Sequence, residues 1–394
     1  MNTIIKAALI TFAVLVMGGH FLSCIAQTGS QDNSIPPVLY KENLKILHIG
    51  NSLTFDAVSY LPLIIESTGA NVSDLCIYRT MLAGGSFLDW YNVYNDKNIL
   101  EYQIEKVCGG LTPGEITGSS KAHDGTLLRK ALTDVKWDII FIQQASTYSP
   151  YYEQWNGDGE GGYLNELLDL IKRLQPDATI GMVLVHSSAS TFRANAEHSA
   201  LERWKLIVSS VEQCCAEHGI ELVLPYGTAV QNLRASSLNN ELDLTCDGLH
   251  CELVLARYVA SCCYFQSIIA PRTGISVLSD HTRINKDFVT ADSPMISVDD
   301  QTAPIAQKAA IMAVEDWHHC WNPEEPMPGS EEIAADVNGD KTVDVADIAT
   351  VISVMANNSM VSSSKADVNG DGVVDVADVA AIIIIMSRAG YTEM

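Results

Sequence analysis

The chain has 394 residues, of which 47% are hydrophobic, and its formal net charge is −24 at pH 7. Its length suggests more than one domain, and its hydrophobic content is typical of globular proteins and excludes a largely disordered chain. The excess of acidic residues disfavours nucleic acids and anionic membrane surfaces as partners.

Residues 1–26 have the features of an export signal. Lys6 precedes an apolar run over residues 7–17, and small residues follow this run. The run is too short for a lasting transmembrane helix. We therefore expect a protein that leaves the cytoplasm, either secreted or held as a cell-surface or periplasmic lipoprotein.

Two routes of signal processing stay open. Cleavage after Ala26 would release the protein. Residues 21–24 read Phe-Leu-Ser-Cys and resemble an imperfect bacterial lipobox, and processing there would leave Cys24 lipidated as a membrane anchor. Residues 27–43 then form a polar linker.

Residues 44–320, which we call the main domain, alternate apolar segments with amphipathic ones. Near-continuous apolar strands separated by helices indicate a parallel sheet with both faces covered. We therefore predict an α/β fold, a three-layer αβα sandwich whose functional residues lie at the carboxyl ends of the strands. The predicted strands span residues 44–50, 75–82, 138–143, 179–185 and 221–225, and the predicted helices span residues 57–67, 121–133, 164–174, 200–218 and a last one at 252–268.

A serine follows the first predicted strand on a tight turn. The turn reads Gly50-Asn51-Ser52, and a serine at this position can project its hydroxyl beyond the edge of the sheet as a nucleophile. The alternative is structural, because serine is also a favoured N-cap residue at the start of a helix.

An aspartate and a histidine stand three residues apart after the last predicted strand. The spacing of Asp247 and His250 allows the carboxylate to orient the imidazole, which leaves the other ring nitrogen free as a base. A loop acid beside a capping histidine is the alternative interpretation. The helix predicted after His250 favours the catalytic interpretation, because it would carry Asp247 and His250 to the same sheet edge as Ser52.

Together these two blocks resemble the SGNH, or GDSL-like, hydrolase superfamily, and the chain looks nearest to its uncharacterised bacterial branches. The resemblance spans residues 44–317 and implies a flavodoxin-like sandwich. It implies Ser52 as the nucleophile, His250 as the base and Asp247 as the residue that orients His250, with no cofactor for catalysis. Asn51 departs from the family, which has an aspartate at that position.

The same resemblance implies an oxyanion hole made by the Ser52 N–H, a glycine N–H and a side-chain amide. The glycine is Gly84 or Gly85, which follow the second predicted strand. The family has an asparagine in its third block, whereas this chain has Gln143 and Gln144 after the third strand. A glutamine also carries an NH₂ donor, so we expect Gln143, or else Gln144, to take that place.

Four other side chains of the main domain have more than one interpretation. We expect His48, inside the first strand, to be buried in the core. His186, at the end of the fourth strand, could line the pocket and contact the substrate. Trp90 and Tyr148 could flank a sugar-sized pocket or pack in the core.

The chain contains ten cysteines, and nine remain if Cys24 is set aside, so at least one thiol is unpaired. This arithmetic disfavours a full disulfide framework. The adjacent pairs at residues 214–215 and 262–263 suit small buried side chains. A bridge between Cys246 and Cys251, which flank the Asp247–His250 block, stays open.

A repeat identifies residues 333–394, which we call the tail, as a separate module after a linker at residues 321–332. Residues 335–349 read ADVNGDKTVDVADIA and residues 366–380 read ADVNGDGVVDVADVA, with twelve of fifteen positions identical. Oxygen-bearing side chains at this spacing suit Ca²⁺, which relieves the repulsion among them. The predicted ligands are Asp336, Asn338, Asp340, Asp344, Asp347 and the Thr342 carbonyl in loop one (residues 336–347), and Asp367, Asn369, Asp371, Asp375, Asp378 and the Val373 carbonyl in loop two (residues 367–378).

The repeat resembles a type I dockerin, in which each of two calcium loops carries a single helix. The resemblance implies two calcium ions and a cohesin-type protein partner, and we expect helices at residues 348–355 and 379–386. Lys341 departs from the family, because the sixth loop position usually holds glycine, as Gly372 does in loop two.

These features predict an exported serine esterase of the SGNH type with a calcium-binding docking module. Dockerins accompany glycan-degrading enzymes, and this association favours the removal of acetyl groups from an acylated glycan. Two alternatives stay open. One is a lipolytic or thioester hydrolase with the same site, and the other is a non-catalytic glycan-binding or adhesion protein.

Overall fold

The computed structural model describes residues 36–97, 100–112, 119–192, 197–289, 293–325, 335–339, 342–356 and 363–389. The predicted export signal, with Ala26 and Cys24, lies outside the described residues. So do parts of both predicted linkers, the predicted calcium ligand Asp340, and Lys341.

A seven-stranded sheet forms the centre of the main domain in the described part of the chain. Its strands are β1 (Leu44–Ile49), β2 (Leu75–Leu82), β3 (Tyr102–Cys108), β4 (Ser119–Ala122), β5 (Ile139–Ile142), β6 (Thr179–Val183) and β7 (Leu222–Leu224). Their order in the sheet is β4-β3-β2-β1-β5-β6-β7. Five neighbouring strands are parallel to one another, namely β2, β1, β5, β6 and β7. Strands β3 and β4 extend the sheet beyond β2 in antiparallel orientation.

Continuous apolar runs form the central strands because both faces of the sheet are covered. Ile46 of β1 pairs with Ile77 of β2 on one side and with Ile139 of β5 on the other, and all three side chains are fully buried. All four residues of β5 are likewise buried. The predicted α/β class with a largely parallel sheet is confirmed, and the carboxyl ends of β1, β2 and β5 lie side by side.

Helices flank the sheet in two groups. The helices are α1 (Ser52–Val58), α2 (Leu61–Thr68), α3 (Phe87–Tyr94), α4 (Thr126–Thr133), α5 (Leu164–Leu174), α6 (Ala200–His218), α7 (Tyr226–Arg234), α8 (Leu255–Tyr264), α9 (Ala270–Thr273) and α10 (Thr302–Glu315). α8 packs against α1, α2, α7 and α10, and it leads through a π-helical turn into α9. α3, α4 and α5 contact one another in the second group.

Some elements differ from the sequence prediction. The predicted helix at residues 57–67 is two helices, because Pro62 lacks an N–H and starts α2 instead of continuing α1. Strands β3 and β4 were not predicted, and the predicted helix at residues 121–133 begins only at Thr126. The helix at residues 252–268 is not the last one of the main domain, since α10 follows it.

The tail forms a small helical core of its own. Helices α11 (Val345–Met355), α12 (Ser363–Ala366) and α13 (Val376–Ala389) include the two helices predicted after the calcium loops. Its buried centre consists of Ala335, Val337, Val351, Ala366 and Ile382. Within the described ranges, none of the helices of the chain combines the length and apolarity that a membrane span requires.

Candidate active site

Ser52 is the first residue of α1, directly after the turn that follows β1. Asn51, and not Ser52, is the N-cap, since its Oδ1 accepts the Leu53 N–H at 3.0 Å. The Asn51 Nδ2 donates to the Gly85 carbonyl at 3.0 Å, which ties the turn after β2 to the start of α1. The capping interpretation of Ser52 is therefore wrong, and its half-buried side chain is free for another contact.

Gly50 allows the turn to close tightly. A Cβ at this position would lie 2.2 Å from Thr54 Oγ1 and 3.0 Å from Gln143 Oε1. Thr54 Oγ1 donates to Gln143 Oε1, and Gln143 Nε2 donates to Asn51 Oδ1 at 2.5 Å. Only glycine leaves room for this buried polar network beside the start of α1.

Ser52, His250 and Asp247 form one chain of hydrogen bonds. His250 Nε2 lies 2.9 Å from Ser52 Oγ, and His250 Nδ1 lies 2.7 Å from Asp247 Oδ2. Asp247 Oδ1 also accepts the main-chain N–H groups of Leu249 at 2.9 Å and of His250 at 2.7 Å. The structure thus brings together three residues predicted from two blocks that are 198 positions apart.

The Asp247 carboxyl is favoured in its ionised form. Its partial burial opposes ionisation, but hydrogen bonds from the His250 ring and from the His250 and Leu249 N–H groups outweigh burial, and the pKa of Asp247 falls below its usual 3.8. The Asp247 side chain is 51% exposed and that of His250 is 29% exposed. Asp247 and His250 are therefore partly open to solvent, whereas Ser52 is half-buried beside them.

Gly248 fixes the conformation of the loop between Asp247 and His250. Its φ of +85° lies in the left-handed region, and a Cβ there would lie 2.7 Å from the Phe192 ring. The Gly248 N–H donates to Thr245 Oγ1 at 3.1 Å, and its carbonyl accepts the Ala189 N–H at 2.8 Å. These bonds connect the loop to the segment that follows β6.

The glycine candidates for the oxyanion hole differ in the contacts that they already make. The Gly85 N–H donates to the Leu82 carbonyl at 2.9 Å. Gly84 is exposed with a φ of +65°, and its N–H has no protein acceptor among the described residues. The Ser52 N–H belongs to the first turn of α1, where amides have no intrahelical acceptor.

The two glutamine candidates are both buried but have different surroundings. Gln144 Nε2 donates to the Gly161 carbonyl at 2.8 Å, and its Oε1 accepts the Ala145 N–H at 2.8 Å, so this side chain holds the loop after β5. Gln143 Nε2 has one close acceptor, Asn51 Oδ1, and it approaches the Gln144 carbonyl only at 3.5 Å. An amide carries two N–H donors, so the second donor of Gln143 makes only this long contact with the Gln144 carbonyl.

His48 lies in the core, as predicted. It is 1% exposed and stacks on Phe141 with 4.8 Å between the ring centroids. Its Nε2 lies 2.7 Å from the Tyr264 hydroxyl. His48 therefore takes no part in the exposed site.

The two aromatic candidates for a sugar-binding pocket have different surroundings. Trp90 is fully buried and packs edge-to-face against Tyr102, with 5.7 Å between the ring centroids, so it is a core residue. Tyr148 is half-buried, and its hydroxyl donates to Glu160 Oε2 at 2.6 Å. Only Tyr148 can contact a ligand at the surface.

His186 holds the loop of the site instead of lining a pocket. It is 1% exposed, and its Nε2 donates to the Leu249 carbonyl at 2.7 Å. Its Nδ1 lies 3.6 Å from Cys251 Sγ. All nine described cysteines are free thiols, so the bridge between Cys246 and Cys251 does not form.

Sequence reasoning missed Asp56, which lies one turn after Ser52 on α1. Its side chain is fully buried, Oδ2 accepts the Cys251 N–H at 3.0 Å, and Oδ1 is paired with Arg257 at 2.8 Å. Burial raises the pKa of Asp56, although Arg257 opposes this effect. The available signal was a lone acid four residues after the nucleophile in an apolar helix.

Acidification should weaken the main domain because two histidines are buried in the neutral form. Burial, with a smaller effect of Arg79 on His48 and of Arg234 on His186, lowers the pKa of both imidazoles from 6.5 to about 3. The unfolded chain therefore binds up to two more protons than the folded chain between these values. We expect the free energy of unfolding to fall by on the order of 2 kcal/mol per pH unit well below pH 6.5.

Denaturant unfolding followed by tryptophan fluorescence measures this effect without a signal from the tail, because all six tryptophans lie between residues 90 and 321. The stability should be nearly constant at and above neutral pH, where the histidines are neutral in both states. The His186→Gln variant should have about half the slope, since it removes one of the two groups, whereas His281→Gln at an exposed position should keep it. A free energy that does not change between pH 6.5 and about pH 5 contradicts the prediction.

The twelfth residue closes each tail loop in the same way. Asp347 Oδ1 accepts the Val337 and Asn338 N–H groups at 2.7 and 3.0 Å in loop one. Asp378 Oδ1 accepts the Asn369 N–H at 3.1 Å in loop two. Both carboxylates are fully buried, and neither is paired with a Lys or Arg in the part of the chain that the structure describes.

In loop two, oxygens of Asp367 and Asn369 accept main-chain N–H groups of the same loop. The Asp371 N–H donates to Asp367 Oδ1 at 3.0 Å and to Asn369 Oδ1 at 2.8 Å, and the Gly372 N–H donates to Asp367 Oδ2 at 2.8 Å. Gly372 has a φ of +86°, which the sixth position requires. Carboxylate and amide oxygens that converge on a loop with buried, cation-free acids fit Ca²⁺.

Comparison with known proteins gives matches in both parts of the chain. A solved DUF4886 family protein from Bacteroides uniformis has 25% identity and a TM-score of 0.52, over 70% of this chain and 96% of that one. A putative SGNH hydrolase from Slackia heliotrinireducens has 15% identity and a TM-score of 0.35, over 59% and 98%. A putative acylhydrolase from Bacteroides fragilis has 10% identity and a TM-score of 0.31, over 55% and 81%. No curated protein matches significantly.

Family models also match the two parts of the chain separately. The model of the DUF4886 domain of unknown function matches residues 45–285, which is more than half of the chain, and the dockerin type I model matches residues 334–386. The first match covers the whole of the hydrogen-bonded chain from Ser52 to His250. The protein therefore belongs to the DUF4886 family and carries a dockerin type I domain at its C-terminal end.

Proposed function

We propose that the protein is an exported serine esterase that removes acetyl groups from an acylated carbohydrate. The observation that carries this proposal is the hydrogen-bonded chain from Ser52 through His250 to Asp247. The serine, the base and the acid that orients the base have the mutual contacts that nucleophilic acyl transfer needs. The resemblance of the two sequence blocks to SGNH hydrolases supports the same assignment.

The first step forms an acyl-enzyme. His250 Nδ1 donates to Asp247, so its Nε2 carries a lone pair and takes the proton from Ser52 Oγ as this oxygen attacks the ester carbonyl. Asp247 stabilises the imidazolium that results. The C–O bond of the ester then breaks, and His250 returns the proton to the departing alcohol oxygen.

The second step reverses these roles with water. His250 takes a proton from a water molecule, which attacks the carbonyl carbon of the acyl-enzyme. The bond to Ser52 Oγ then breaks, and His250 gives the proton back to Ser52. The products are the free hydroxyl of the carbohydrate and a carboxylic acid, so no external oxidant, reductant or cofactor is needed.

The oxyanion that forms in both steps needs donors close to Ser52. We assign this role to the Ser52 N–H, to the second N–H of Gln143, and to Gly84 in preference to Gly85. The Gly85 N–H already donates to Leu82, whereas Gly84 is exposed and left-handed. Each such donor typically contributes roughly 10²–10³-fold to the rate.

The exposure of the site supports a small acyl group on a large polar alcohol. Asp247 and His250 are partly open to solvent, which lets a polymer approach while only its acyl group contacts Ser52. The dockerin domain supports the choice of carbohydrate, because it suggests an extracellular protein that works beside other proteins on a cohesin-type partner. We assign it two calcium ions, held by loops one and two.

Hydrolysis of a substrate series tests the proposal. We expect acetate release from acetylated polysaccharides, and faster hydrolysis of p-nitrophenyl acetate than of its long-chain homologues. The physical reason is that an apolar acyl pocket would gain about 0.8 kcal/mol for each added CH₂, and an open polar site does not offer that gain. Chemically deacetylated polysaccharide is the control substrate.

The same series distinguishes the alternatives. Rates that rise with acyl chain length, or a clear preference for thioesters, would assign the site to a lipolytic or thioester hydrolase. Binding to polysaccharide without release of acetate, together with no reaction of Ser52 with a fluorophosphonate probe, would leave a non-catalytic binding protein.

A further inference from the structure

Asp56 connects the helix of the nucleophile to the loop of the base. It lies four residues after Ser52 on α1, so both side chains leave the same face of the helix. Its Oδ2 accepts the N–H of Cys251 at 3.0 Å, and Cys251 directly follows His250 in the chain. One buried carboxylate therefore spans the two segments whose separation sets the distance between Ser52 Oγ and His250 Nε2.

The other oxygen of Asp56 fixes the carboxylate itself. Arg257 of α8 donates from Nε to Asp56 Oδ1 at 2.9 Å, and its Nη2 lies 2.8 Å from the same oxygen. The guanidinium group of Arg257 also lies over the Phe55 ring, 5.1 Å from its centroid. The carboxylate thus cannot rotate away from Cys251 without disturbing its charge-assisted hydrogen bond and its ion pair with Arg257.

A cation is not needed to balance these charges. The ligand-type atoms of Asp56, His186 and Cys251 lie within 4.8 Å of one another. However, Arg257 neutralises Asp56, burial keeps His186 in its neutral form, and burial raises the pKa of the Cys251 thiol well above its usual value. The cluster is therefore neutral as it stands, which suits a mechanical role better than a metal site.

His186 holds the same loop through a second main-chain bond. Its Nε2 donates to the Leu249 carbonyl at 2.7 Å, one residue before His250. The two main-chain bonds, to Leu249 and to Cys251, flank His250 directly. Neither Asp56 nor His186 is exposed, so neither can touch a substrate.

We propose that Asp56 is a positioning residue for the contact between Ser52 and His250, a role that rests on the proposed esterase function. Its carboxylate keeps the base within hydrogen-bond distance of the nucleophile by holding the Cys251 N–H. A displacement of about 1 Å at a reacting group can cost roughly 10²-fold in rate. The loss of this link should therefore appear in kcat and leave the binding of substrate unchanged.

Asp138 provides a matched control at the amino-terminal end of the sheet, opposite the carboxyl ends where the site lies. It directly precedes β5, its Oδ2 accepts the Lys45 N–H at 2.8 Å, and its other oxygen is paired with Lys41. Asp138 thus makes the same kinds of contact as Asp56, one main-chain N–H and one cationic side chain. Loss of either carboxylate should lower the unfolding temperature, but only Asp56 is linked to the site.

The experiment compares kinetics with p-nitrophenyl acetate for the wild type and three variants. Asp56→Ala should lower kcat by roughly 10²-fold with KM changed less than about threefold. Asp56→Asn keeps an oxygen for the Cys251 N–H and should recover kcat to within roughly tenfold of the wild type. Asp138→Ala should keep both constants within about twofold. Tryptophan fluorescence confirms that each variant is folded at the assay temperature.

Distinct results separate this inference from the proposed function. If the wild type is active and labelled at Ser52 but Asp56→Ala matches it, the positioning role is wrong and the esterase assignment stands. Equal losses in Asp56→Ala and Asp138→Ala, or a loss confined to KM, also overturn it. A wild type that neither turns over the ester nor reacts with the fluorophosphonate probe overturns both proposals.

Discussion

The Ser52→Ala variant should lose ester hydrolysis by roughly 10⁴- to 10⁶-fold in kcat while remaining folded. The reason is that no acyl-enzyme can form without the Oγ that lies 2.9 Å from His250 Nε2. The fold should be unaffected because Asn51 provides the cap of α1 and Ser52 does not. Initial rates with p-nitrophenyl acetate and acetate release from polysaccharide both measure the effect.

Ser59 at the other end of α1 offers a matched control. Its Oγ donates to the Phe55 carbonyl within the helix, at 2.7 Å, and does not contact the residues of the site. Ser59→Ala should therefore keep the activity of the wild type and its labelling by a fluorophosphonate probe. A Ser52→Ala variant that retains turnover within tenfold of the wild type would falsify the nucleophile assignment.

Removal of calcium should unfold the tail and leave the main domain intact. Each loop closes on a buried carboxylate, Asp347 or Asp378, that has no cationic side chain beside it among the described residues. Without Ca²⁺ the acids of each loop repel one another around these groups. Among the described residues, the buried core of the tail consists of five apolar residues, and so small a core cannot offset this repulsion.

The expected result of adding a chelator is a loss of helical circular dichroism and rapid proteolysis of the tail. Tryptophan fluorescence and esterase activity should not change, because the site lies in the main domain and all six tryptophans precede the tail. Calcium at about 1,000 times its dissociation constant should stabilise the tail by about 4 kcal/mol.

Calcium stoichiometry gives a second measurement of the same prediction. Titration calorimetry should find two ions for the wild type and one for Asp378→Ala, which removes the closing carboxylate of loop two. Asp300→Ala removes an acid that is 93% exposed in the main domain and should leave two. A tail that stays folded in the presence of the chelator, or a stoichiometry unchanged in Asp378→Ala, would contradict the calcium assignment.

The parts of the fold that the sequence predicts are those whose patterns are local. The short apolar runs of β1, β2 and β5 predict buried strands, and the structure places strands there. The antiparallel strands at the sheet edge escaped prediction because β3 includes Glu105 and Lys106, which interrupt its alternation. Helix α10 escaped because its many alanines form no strong apolar stripe, although they pack closely against α7 and α8.

The residues of the site also fall into those that the sequence predicts and those that only the structure reveals. Ser52, Asp247 and His250 were predictable because each belongs to a short block with a chemical meaning, Ser52 directly after β1 and the other two in the loop before α8. The residues that hold them, Asp56 and His186, act through bonds to main-chain atoms that are far away in sequence. No local pattern encodes such contacts, so only the folded structure reveals them.

At the turn after β1, Asn51 has the structural role and leaves Ser52 free for catalysis. Because its side chain both starts α1 and holds the Gly85 carbonyl, the serine beside it carries no structural duty. An inactive Ser52→Ala protein should therefore keep an undistorted site and suit co-crystallisation with intact acetylated oligosaccharides.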